Sequence, residues 1–270
     1  MTKISFIGGG NMARALIGGL QSNGYAMDAI SVIEPDTDKR KQLHAEYGVH
    51  VTEQLPSVSS ADVIVLAVKP QQLRDLAIFL GSLLHEQLVI SIAAGIRSPD
   101  LARWLGGYQA IVRVMPNTPA QIQAGISALY ALPAVSAAQK EIADTIMQAA
   151  GKTVWLDAEQ KMDAVTAISG SGPAYVFYFI EAMQQAALEL GLSAEDARLL
   201  SLQTFAGATA LAAQSSETPA TLRAQVTSKA GTTERALLSM ESAGVKTAII
   251  QAAHAAAARS AELGDQLGKE

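Results

Sequence analysis

The sequence predicts an α/β N-terminal domain with a mostly parallel sheet, followed by an all-α C-terminal domain. Up to about residue 156, short β-branched runs alternate with longer helical periodicities, which is typical of a parallel sheet with crossover helices. A glycine-rich turn follows the first of these runs, and after residue 163 the strand pattern stops. We therefore expect a domain boundary near residue 160.

Strands and helices alternate in order along the N-terminal part. The predicted strands are Ile4–Ile7, Ile30–Ile33, Val63–Ala67, Leu88–Ser91, Ile111–Val114, Ile126–Tyr130 and Thr153–Leu156. The helices predicted between them are Met12–Gln21, Asp38–Tyr47, Gln72–Leu84, Pro99–Leu105 and Ala137–Ala150. Residues 63–68 are apolar throughout, which indicates a strand covered on both faces.

All periodic segments of the C-terminal part indicate helices, several of which begin with a Ser, Thr or Pro at the capping positions. The predicted helices are Pro173–Leu190, Ala194–Ala213, Pro219–Gln225, Thr233–Ala243 and Val245–Leu267. Before the first of them, Gly172 is expected to allow a close approach of backbones, with Pro173 in the first turn. Ala-rich stretches such as Ala248–Ala258 have little bulky surface to bury alone, so we expect a second copy of the chain to cover these helices.

Composition supports an oligomer and excludes several kinds of chemistry. Only 17% of the 270 residues are charged, against about 25% in average proteins. The absence of Cys excludes disulfides, thiolate metal sites and a Cys nucleophile, and the four His residues have no metal-binding spacing. A net charge of -5 without a Lys/Arg run argues against a nucleic-acid partner.

The sequence gives no sign of a membrane segment or a signal peptide. The apolar stretch near the N-terminus is interrupted by Arg14 and by three consecutive glycines. No uncharged apolar run reaches the ~18–20 residues that cross a bilayer. We therefore expect a soluble, cytoplasmic protein.

The turn after the first strand fits the pattern G-x-G-x-x-A with Gly8, Gly10 and Ala13 in the fixed positions. Gly8 would permit the tight turn, Gly10 would let the backbone approach a pyrophosphate, and Ala13 would let the helix pack on the strand. Asn11 and Met12 begin the helix, whose free N–H groups and positive dipole end favour phosphate. A flexible turn is the alternative, but the flanking strand and helix favour a Rossmann-like, dinucleotide-binding domain in residues 1–160.

Glu34 follows the second strand, where a carboxylate can accept hydrogen bonds from the adenosine ribose and repel a 2′-phosphate. This position favours NADH over NADPH. The alternative is that Glu34 points to solvent and that Lys39 or Arg40 supplies charge for a 2′-phosphate. NADPH and NADH both remain candidate cofactors.

Further candidate cofactor residues follow the later strands, because ligands bind at the carboxyl ends of strands in open α/β sheets. These residues are Ala67, Val68, Lys69, Pro70, Ala93, Ala94, Gly95 and Asn117. Lys69 would face the phosphates or a ribose, or else is a solvated loop residue. Asn117 would bind through its amide near the nicotinamide, or else it caps a turn.

Three later motifs, at residues 113–119, 169–175 and 226–233, are more specific than the glycine turn. They read Arg-Val-Met-Pro-Asn-Thr-Pro, Ser-Gly-Ser-Gly-Pro-Ala-Tyr and Val-Thr-Ser-Lys-Ala-Gly-Thr-Thr. In this order after the glycine turn they closely resemble pyrroline-5-carboxylate reductases, and the resemblance runs through essentially the whole chain. It implies the last step of proline biosynthesis, hydride transfer from NAD(P)H to the C=N carbon of 1-pyrroline-5-carboxylate.

The resemblance also implies the substrate site. The loop that holds the substrate carboxylate and ring nitrogen in the family corresponds to Val226, Ser228, Gly231, Thr232 and Thr233, with the Thr233 hydroxyl near the imine. Without the resemblance, Gly-Thr-Thr is equally well explained as an N-capped helix. The family loop usually reads Ser-Pro-Gly-Gly-Thr-Thr, so Lys229 and Ala230 are departures that remove a φ restriction and a glycine.

Ser171 is the second candidate catalytic residue, near the nicotinamide or the imine, unless its segment is only a bend between domains. No strong general acid is required, because a cyclic imine is basic enough to take up its own proton near neutral pH. The family resemblance further implies dimers that assemble into decamers, with residues 161–270 as the helical dimerisation and substrate-binding domain.

Two other functions remain open at this point. A 3-hydroxyacid dehydrogenase would share the architecture, but such enzymes use a helix lysine after a glycine-rich turn, and residues 173–190 contain no lysine. A protein that binds the cofactor without turnover would need only the glycine turn.

Overall fold

The computed structural model describes residues 1–269. Its strands are β1 (Ile4–Ile7), β2 (Ile30–Ile33), β3 (His50–Thr52), β4 (Val63–Leu66), β5 (Leu88–Ser91), β6 (Ile111–Met115), β7 (Gly125–Ala131) and β8 (Gly151–Trp155). The first helices are α1 (Asn11–Ser22), α2 (Thr37–Tyr47), α3 (Pro70–Gly81), α4 (Ser98–Trp104), α5 (Ala137–Gln148) and the single turn α6 (Met162–Val165). The later helices are α7 (Gly172–Glu189), α8 (Ala194–Gln214), α9 (Pro219–Gln225), α10 (Thr232–Ser242) and α11 (Val245–Lys269).

The strands form one eight-stranded sheet in the order β3-β2-β1-β4-β5-β6-β7-β8. All neighbouring pairs are parallel except β6 and β7, which are antiparallel. The chain therefore winds outward from β1 in both directions, and the reversal between β1 and β4 opens a crevice at the carboxyl ends of the strands. The predicted mostly parallel sheet is confirmed.

The sheet is covered on both faces, which makes three layers. One hydrophobic core lies under α1, α2 and α5 and includes Phe6, Leu16 and Ile146. The other lies under α3 and α4 and includes Ile64, Leu73 and Leu101. All four residues of β4 are buried, as the continuous apolar run predicts for a central strand.

Some layers approach each other so closely that only glycine fits. A Cβ on Gly19 of α1 would lie 1.9 Å from the carbonyl oxygen of Ala149, whereas a Cβ on the neighbouring Gly18 would lie 3.4 Å from the Tyr47 ring. Gly19 thus marks the contact between α1 and the end of α5. The sequence does not single out this glycine.

Three short elements are absent from the sequence prediction. The strand β3 has three residues, of which His50 is exposed, and it lies at the edge of the sheet. It carries no apolar run because an edge strand of this length buries little surface. The turn α6 and a π-helical turn at Thr166–Gly170 precede α7.

The contacts within the chain group into two compact units, Met1–Ser171 with Ala255–Glu270, and Gly172–His254. This grouping differs from the expected boundary near residue 160 in that α6, the π-helical turn and the last turns of α11 belong to the first unit. Arg97, Arg103 and Asp163 of the first unit hold those last turns through side-chain hydrogen bonds.

Most of the second unit is helical surface with few buried side chains. No residue of α7, α9 or α10 is buried, and Phe177 and Tyr178 are 64% and 71% exposed. Large apolar side chains at the surface mark an interaction face. No helix within residues 1–269 is long and apolar enough to cross a membrane.

Candidate active site

The glycine turn between β1 and α1 has the geometry that its pattern predicts. Gly8 has φ +99°, and a Cβ there would lie 2.7 Å from the carbonyl oxygen of Ala67, so only glycine fits. A Cβ on Gly10 would meet no atom of residues 1–269 within 4 Å, so this part of the chain leaves the space beside Gly10 open. Ala13 is fully buried in the core under the sheet.

The start of α1 at Asn11 and Met12 is suited to an anion. Gly10 is the N-cap residue, and no side chain caps the helix. Its first N–H groups are therefore available, and they carry the positive end of the helix dipole. The turn and the helix start together fit a pyrophosphate.

A cavity of about 560 Å³ lies beside this turn, at the carboxyl ends of β1, β2 and β4. It is the crevice that the strand order creates. The lining residues are Ile7, Gly8, Gly10, Ile33, Glu34, Pro35, Asp36, Lys39, Glu53, Leu55, Ala67, Val68, Lys69, Gln72 and Leu76. Six of the candidate cofactor residues, Gly8, Gly10, Glu34, Ala67, Val68 and Lys69, are thus brought together in one cavity. Pro70, the first residue of α3, directly follows Lys69.

Glu34 is buried, with 7% of its surface exposed, so the alternative in which it points to solvent is wrong. Its Oε2 accepts a hydrogen bond from the N–H of Gly9 at 2.9 Å, and its Oε1 accepts one from the N–H of Asp36 at 3.1 Å. The carboxylate therefore braces the glycine turn while it lines the cavity. Each oxygen keeps a lone pair for a further donor.

The two cationic side chains near Glu34, Arg40 and Lys39, differ in their contacts with the rest of the protein. Arg40 donates to the carbonyl oxygens of Glu34 and Pro35 at 2.7 and 2.8 Å, and it forms an ion pair with Glu53 at 3.0 Å. Lys39 is exposed and lines the cavity. Of the two residues considered for a 2′-phosphate, Arg40 is thus already engaged in the protein's own contacts.

The rim of the cavity near α2 is acidic. Asp36 caps α2, and the N–H of Lys39 that donates to its carboxylate lowers the pKa of Asp36 below its usual value. Together with Glu34 and Glu53, this places three carboxylates around the end of β2. These carboxylates repel a negatively charged 2′-phosphate, whereas they do not repel the neutral ribose hydroxyl at the same position.

The remaining candidate cofactor residues follow β5 and β6 and lie outside this cavity. Ala93 is buried, Ala94 is exposed, and Gly95 has φ +78°. Asn117 holds the turn between β6 and β7, because its Oδ1 accepts a hydrogen bond from the N–H of Ile126 at 2.9 Å. The turn-capping alternative for Asn117 therefore has a structural basis.

A buried ion pair that the sequence does not reveal joins β6 to the segment that precedes α6. Arg113 of β6 and Glu159 are 2.8 Å apart, with 7% and 13% of their side chains exposed. Glu159 Oε1 also accepts a hydrogen bond from the N–H of Ser98 at 2.7 Å. Arg113 belongs to a recognised motif, but no spacing rule links it to Glu159, which lies outside all of the motifs.

Ser171 ends the first unit directly after the π-helical turn, and its N–H donates to the carbonyl of Thr166. Among residues 1–269, a Cβ on Gly172 would meet nothing within 4 Å, so the close approach expected at Gly172 is not made within this part of the chain. Gly170 makes this contact instead, because a Cβ on it would lie 2.5 Å from Met115 Cε.

In the second unit, the loop at 226–231 leads into α10. Gly231 is the N-cap residue and no side chain caps the helix, so the N–H groups near Thr232 and Thr233 are available. The loop itself is closed by backbone and side-chain contacts, from the N–H of Gly231 to the Ser228 carbonyl at 3.0 Å and from the N–H of Ala230 to Glu234 Oε2 at 2.7 Å.

Ala230 has φ +59°, one of two non-glycine residues with positive φ within residues 1–269. This value lies in the left-handed region that glycine adopts readily. The departure from glycine therefore falls at a position whose backbone favours glycine. Val226 is exposed at the start of the loop.

Comparison with known proteins gives the family. Residues 159–263 match the family described as "Pyrroline-5-carboxylate reductase dimerisation", and residues 3–95 match "NADP oxidoreductase coenzyme F420-dependent". The chain is 47% identical over 269 residues to a pyrroline-5-carboxylate reductase of Pseudomonas aeruginosa, covering 99% of this chain and 98% of that protein.

Solved structures agree over the same length. A pyrroline-5-carboxylate reductase from Coxiella burnetii superposes with a TM-score of 0.92 at 42% identity, and the match covers 97% of this chain and 98% of that one. The Plasmodium falciparum enzyme, solved with NADP bound, gives 0.88 at 29% identity with the same coverage. Because identity above 40% extends over nearly the full length, this chain belongs to the pyrroline-5-carboxylate reductase family.

Proposed function

We propose that this chain reduces 1-pyrroline-5-carboxylate to L-proline with NAD(P)H, the last step of proline biosynthesis, with its two units dividing the work. The glycine turn and the cavity beside β1, β2 and β4 hold the coenzyme. The loop at 226–233 holds the substrate. The glycine cradle, in which Gly8 admits no Cβ and Gly10 lies under open space, supports the coenzyme part of the proposal, and the uncapped start of α10 supports the substrate part.

The coenzyme supplies a hydride to the C=N carbon when it is bound. The N–H groups at Asn11 and Met12 hold the pyrophosphate, and Ala13 keeps α1 close to the sheet. Ala67, Val68, Lys69 and Pro70 border the ribose and phosphates. We assign Ala93, Ala94, Gly95 and Asn117 to the nicotinamide end, because they follow β5 and β6, the next strands beyond β4 in the sheet order.

We assign Glu34 to the adenosine ribose and expect NADH to bind more tightly than NADPH. The buried carboxylate keeps lone pairs for a ribose hydroxyl, and its neighbours Asp36 and Glu53 oppose a 2′-phosphate. Arg40 is held by Glu53 and two carbonyls, which leaves Lys39 to meet such a phosphate. Because the Plasmodium falciparum enzyme was solved with NADP bound, the preference of this chain between NADH and NADPH has to be measured.

The start of α10 binds the substrate carboxylate. A compact anion site is formed there by the available N–H groups and by the hydroxyls of Thr232 and Thr233. The dipole of this 11-residue helix adds a favourable interaction with negative charge. Ser228 and Gly231 shape the turn before it, and Val226 borders the ring. The Thr233 hydroxyl accepts a hydrogen bond from the protonated ring nitrogen.

Catalysis then depends on positioning rather than on a strong acid. The substrate imine is protonated near neutral pH before it reacts, so the protein must orient the ring and exclude misaligned poses. We assign Ser171, which directly follows the π-helical turn, as the second polar group near the nicotinamide or the imine.

The exposed apolar faces of α7 and α8 are the dimer interface in this proposal. Phe177, Tyr178 and Leu199 are each more than half exposed, and the residues that match the family's dimerisation segment include them all. Further assembly of dimers into decamers and a cytoplasmic location are parts of the same proposal. An active monomer in sizing chromatography would contradict it.

A spectrophotometric assay at 340 nm tests the function with purified protein, NADH or NADPH, and 1-pyrroline-5-carboxylate. We expect coenzyme oxidation that depends on the substrate, with L-proline as the product. Oxidation that does not depend on the substrate, or none at all with both coenzymes, would overturn the proposal.

A further inference from the structure

The last turns of α11 pack against the loop that follows β5. Arg97, at the end of this loop, lies across α11 and reaches one turn of it: Nη1 forms an ion pair with Asp265 at 2.6 Å, and Nη2 donates to the carbonyl of Ala261 at 3.1 Å. Gly264, which is buried, lies between these two contacts. A Cβ on Gly264 would lie 2.9 Å from Arg97 Nε, so the guanidinium rests directly on the helix backbone.

The same turns also contact the loop at its glycine. A Cβ placed on Gly95 would lie 3.2 Å from Leu267 Cδ1 and 3.8 Å from Leu263 Cβ, so both leucines lie against the Gly95 backbone. Leu267 packs on the core that lies under α3 and α4. The helix α11 therefore contacts this loop at both Gly95 and Arg97.

Other contacts hold the two ends and the middle of this loop. Ala93 and Ile96 are buried in the core that lies under α3 and α4, and the N–H of Ser98 donates to Glu159 at the far end. Ala94 is exposed, and Gly95 has a left-handed φ of +78°. The contacts with α11 act at Gly95 and Arg97, the two residues that flank the buried Ile96.

We propose that the C-terminal turns of α11 are a positioning element for coenzyme binding, with Asp265 and Leu267 acting through Arg97 and Gly95 on the loop at 93–95. The proposal rests on the assignment of Ala93, Ala94 and Gly95 to the nicotinamide end of the coenzyme site. No contact between α11 and the coenzyme is required. A loop held in its binding conformation pays no ordering cost when the ligand arrives, so loosening it raises the dissociation constant.

Two variants loosen the loop in different ways. Asp265→Asn removes the charge that holds Arg97 and leaves the size of the side chain unchanged. Gly264→Ala displaces the guanidinium by its Cβ while it keeps every charge, and it replaces a glycine inside a helix, which by itself favours the helix. The matched control is Glu262→Gln, which breaks an ion pair with Arg259 on the same helix at 2.8 Å, away from the loop.

The test measures two quantities in the full-length chain. The first is amide hydrogen exchange of residues 93–97 without ligand, and the second is the dissociation constant of NADH from nucleotide fluorescence without substrate. We expect Asp265→Asn and Gly264→Ala to speed exchange in this loop and to raise the dissociation constant by about threefold to tenfold, the range expected when a partly exposed ion pair and its ordered loop are lost. We expect kcat at saturating NADH to stay within twofold, and Glu262→Gln to match the unmodified chain in both quantities.

Gly264→Ala separates positioning from stability. A merely structural role predicts that coenzyme affinity falls only as far as the melting temperature falls, and the helix-favouring alanine offsets part of the stability that the displaced guanidinium loses. Positioning predicts coenzyme binding weaker than the melting temperature of the variant accounts for. Wild-type dissociation constants in both variants would overturn the proposal. Because exchange and coenzyme binding are measured without the pyrroline substrate, these results stand apart from the outcome of the turnover assay.

Discussion

Replacing Ala230 by Gly should stabilise the protein, although it removes a side chain. Ala230 has φ +59°, and a left-handed backbone costs a residue with a Cβ about 1–2 kcal/mol. Glycine recovers this energy but gains about 0.4–1 kcal/mol of conformational freedom in the unfolded chain. The net gain is about 0.5–1 kcal/mol, since the N–H that donates to Glu234 remains in the variant.

Thermal unfolding measures this gain at a fixed protein concentration, because association shifts the melting temperature of an oligomer. A gain of this size corresponds to about 1–4 °C for a protein of this length. The matched control is Ala236→Gly, the same change at an exposed position inside α10. There the backbone is helical, so glycine should destabilise by about 0.5–1 kcal/mol.

Opposite signs for the two Ala→Gly changes are therefore the expected result. If Ala230→Gly lowers the melting temperature as Ala236→Gly does, then residue 230 does not adopt the left-handed conformation in solution and the reasoning fails. The KM for the pyrroline substrate should stay within about twofold in Ala230→Gly, because the N–H groups that we assign to the substrate carboxylate are unchanged.

Three further predictions concern single contacts. Thr233→Ala should lower kcat/KM in the 340 nm assay by ~10–100-fold, as expected for the loss of one positioned hydrogen bond, and unchanged kinetics would remove Thr233 from the mechanism. NADH should have a lower KM than NADPH in the unmodified chain, and a lower KM for NADPH would contradict the assignment of Glu34. Glu53→Gln frees Arg40 and removes a negative charge, so it should raise kcat/KM for NADPH relative to NADH by about threefold to tenfold. Gly19→Ala should destabilise the fold by about 1–3 kcal/mol in chemical denaturation, because its Cβ would lie 1.9 Å from a carbonyl oxygen, whereas Gly18→Ala on the same helix should be neutral or stabilising.

The elements with a strong local signal could be predicted from the sequence. β1, β2 and β5 and the helix α9 have the predicted bounds, because each is a compact apolar run or a capped helix whose ends are set by neighbouring residues. The glycine turn could be predicted as well, since its geometry depends on the local backbone. β3 could not, because a three-residue edge strand with an exposed His50 has no apolar pattern to read.

Where the candidate site residues lie relative to the strands could be predicted, but the groups that they contact could not. The place of Glu34 at the end of β2 follows from the motif, yet its hydrogen bonds to the N–H groups of Gly9 and Asp36 depend on how the turn folds back over the strand. The engagement of Arg40 with Glu53 depends likewise on β3, an element that the sequence does not reveal. The ion pair between Arg97 and Asp265 joins residues so far apart in the chain that no periodicity relates them.

The low content of charge has a different physical origin in each unit. In the first unit, strands such as β4 are covered on both faces, so their apolar residues are used within the chain. In the second unit, α7 buries none of its side chains although it is rich in large apolar residues. Such a helix gains little from its own chain, and the free energy of burying Phe177 and its neighbours, about 1.5–3 kcal/mol for each large side chain, is available only to an assembly. The folding of this unit and its association with another copy are therefore linked, and this applies also to the loop at 226–233, which we propose holds the substrate, because it belongs to the same unit.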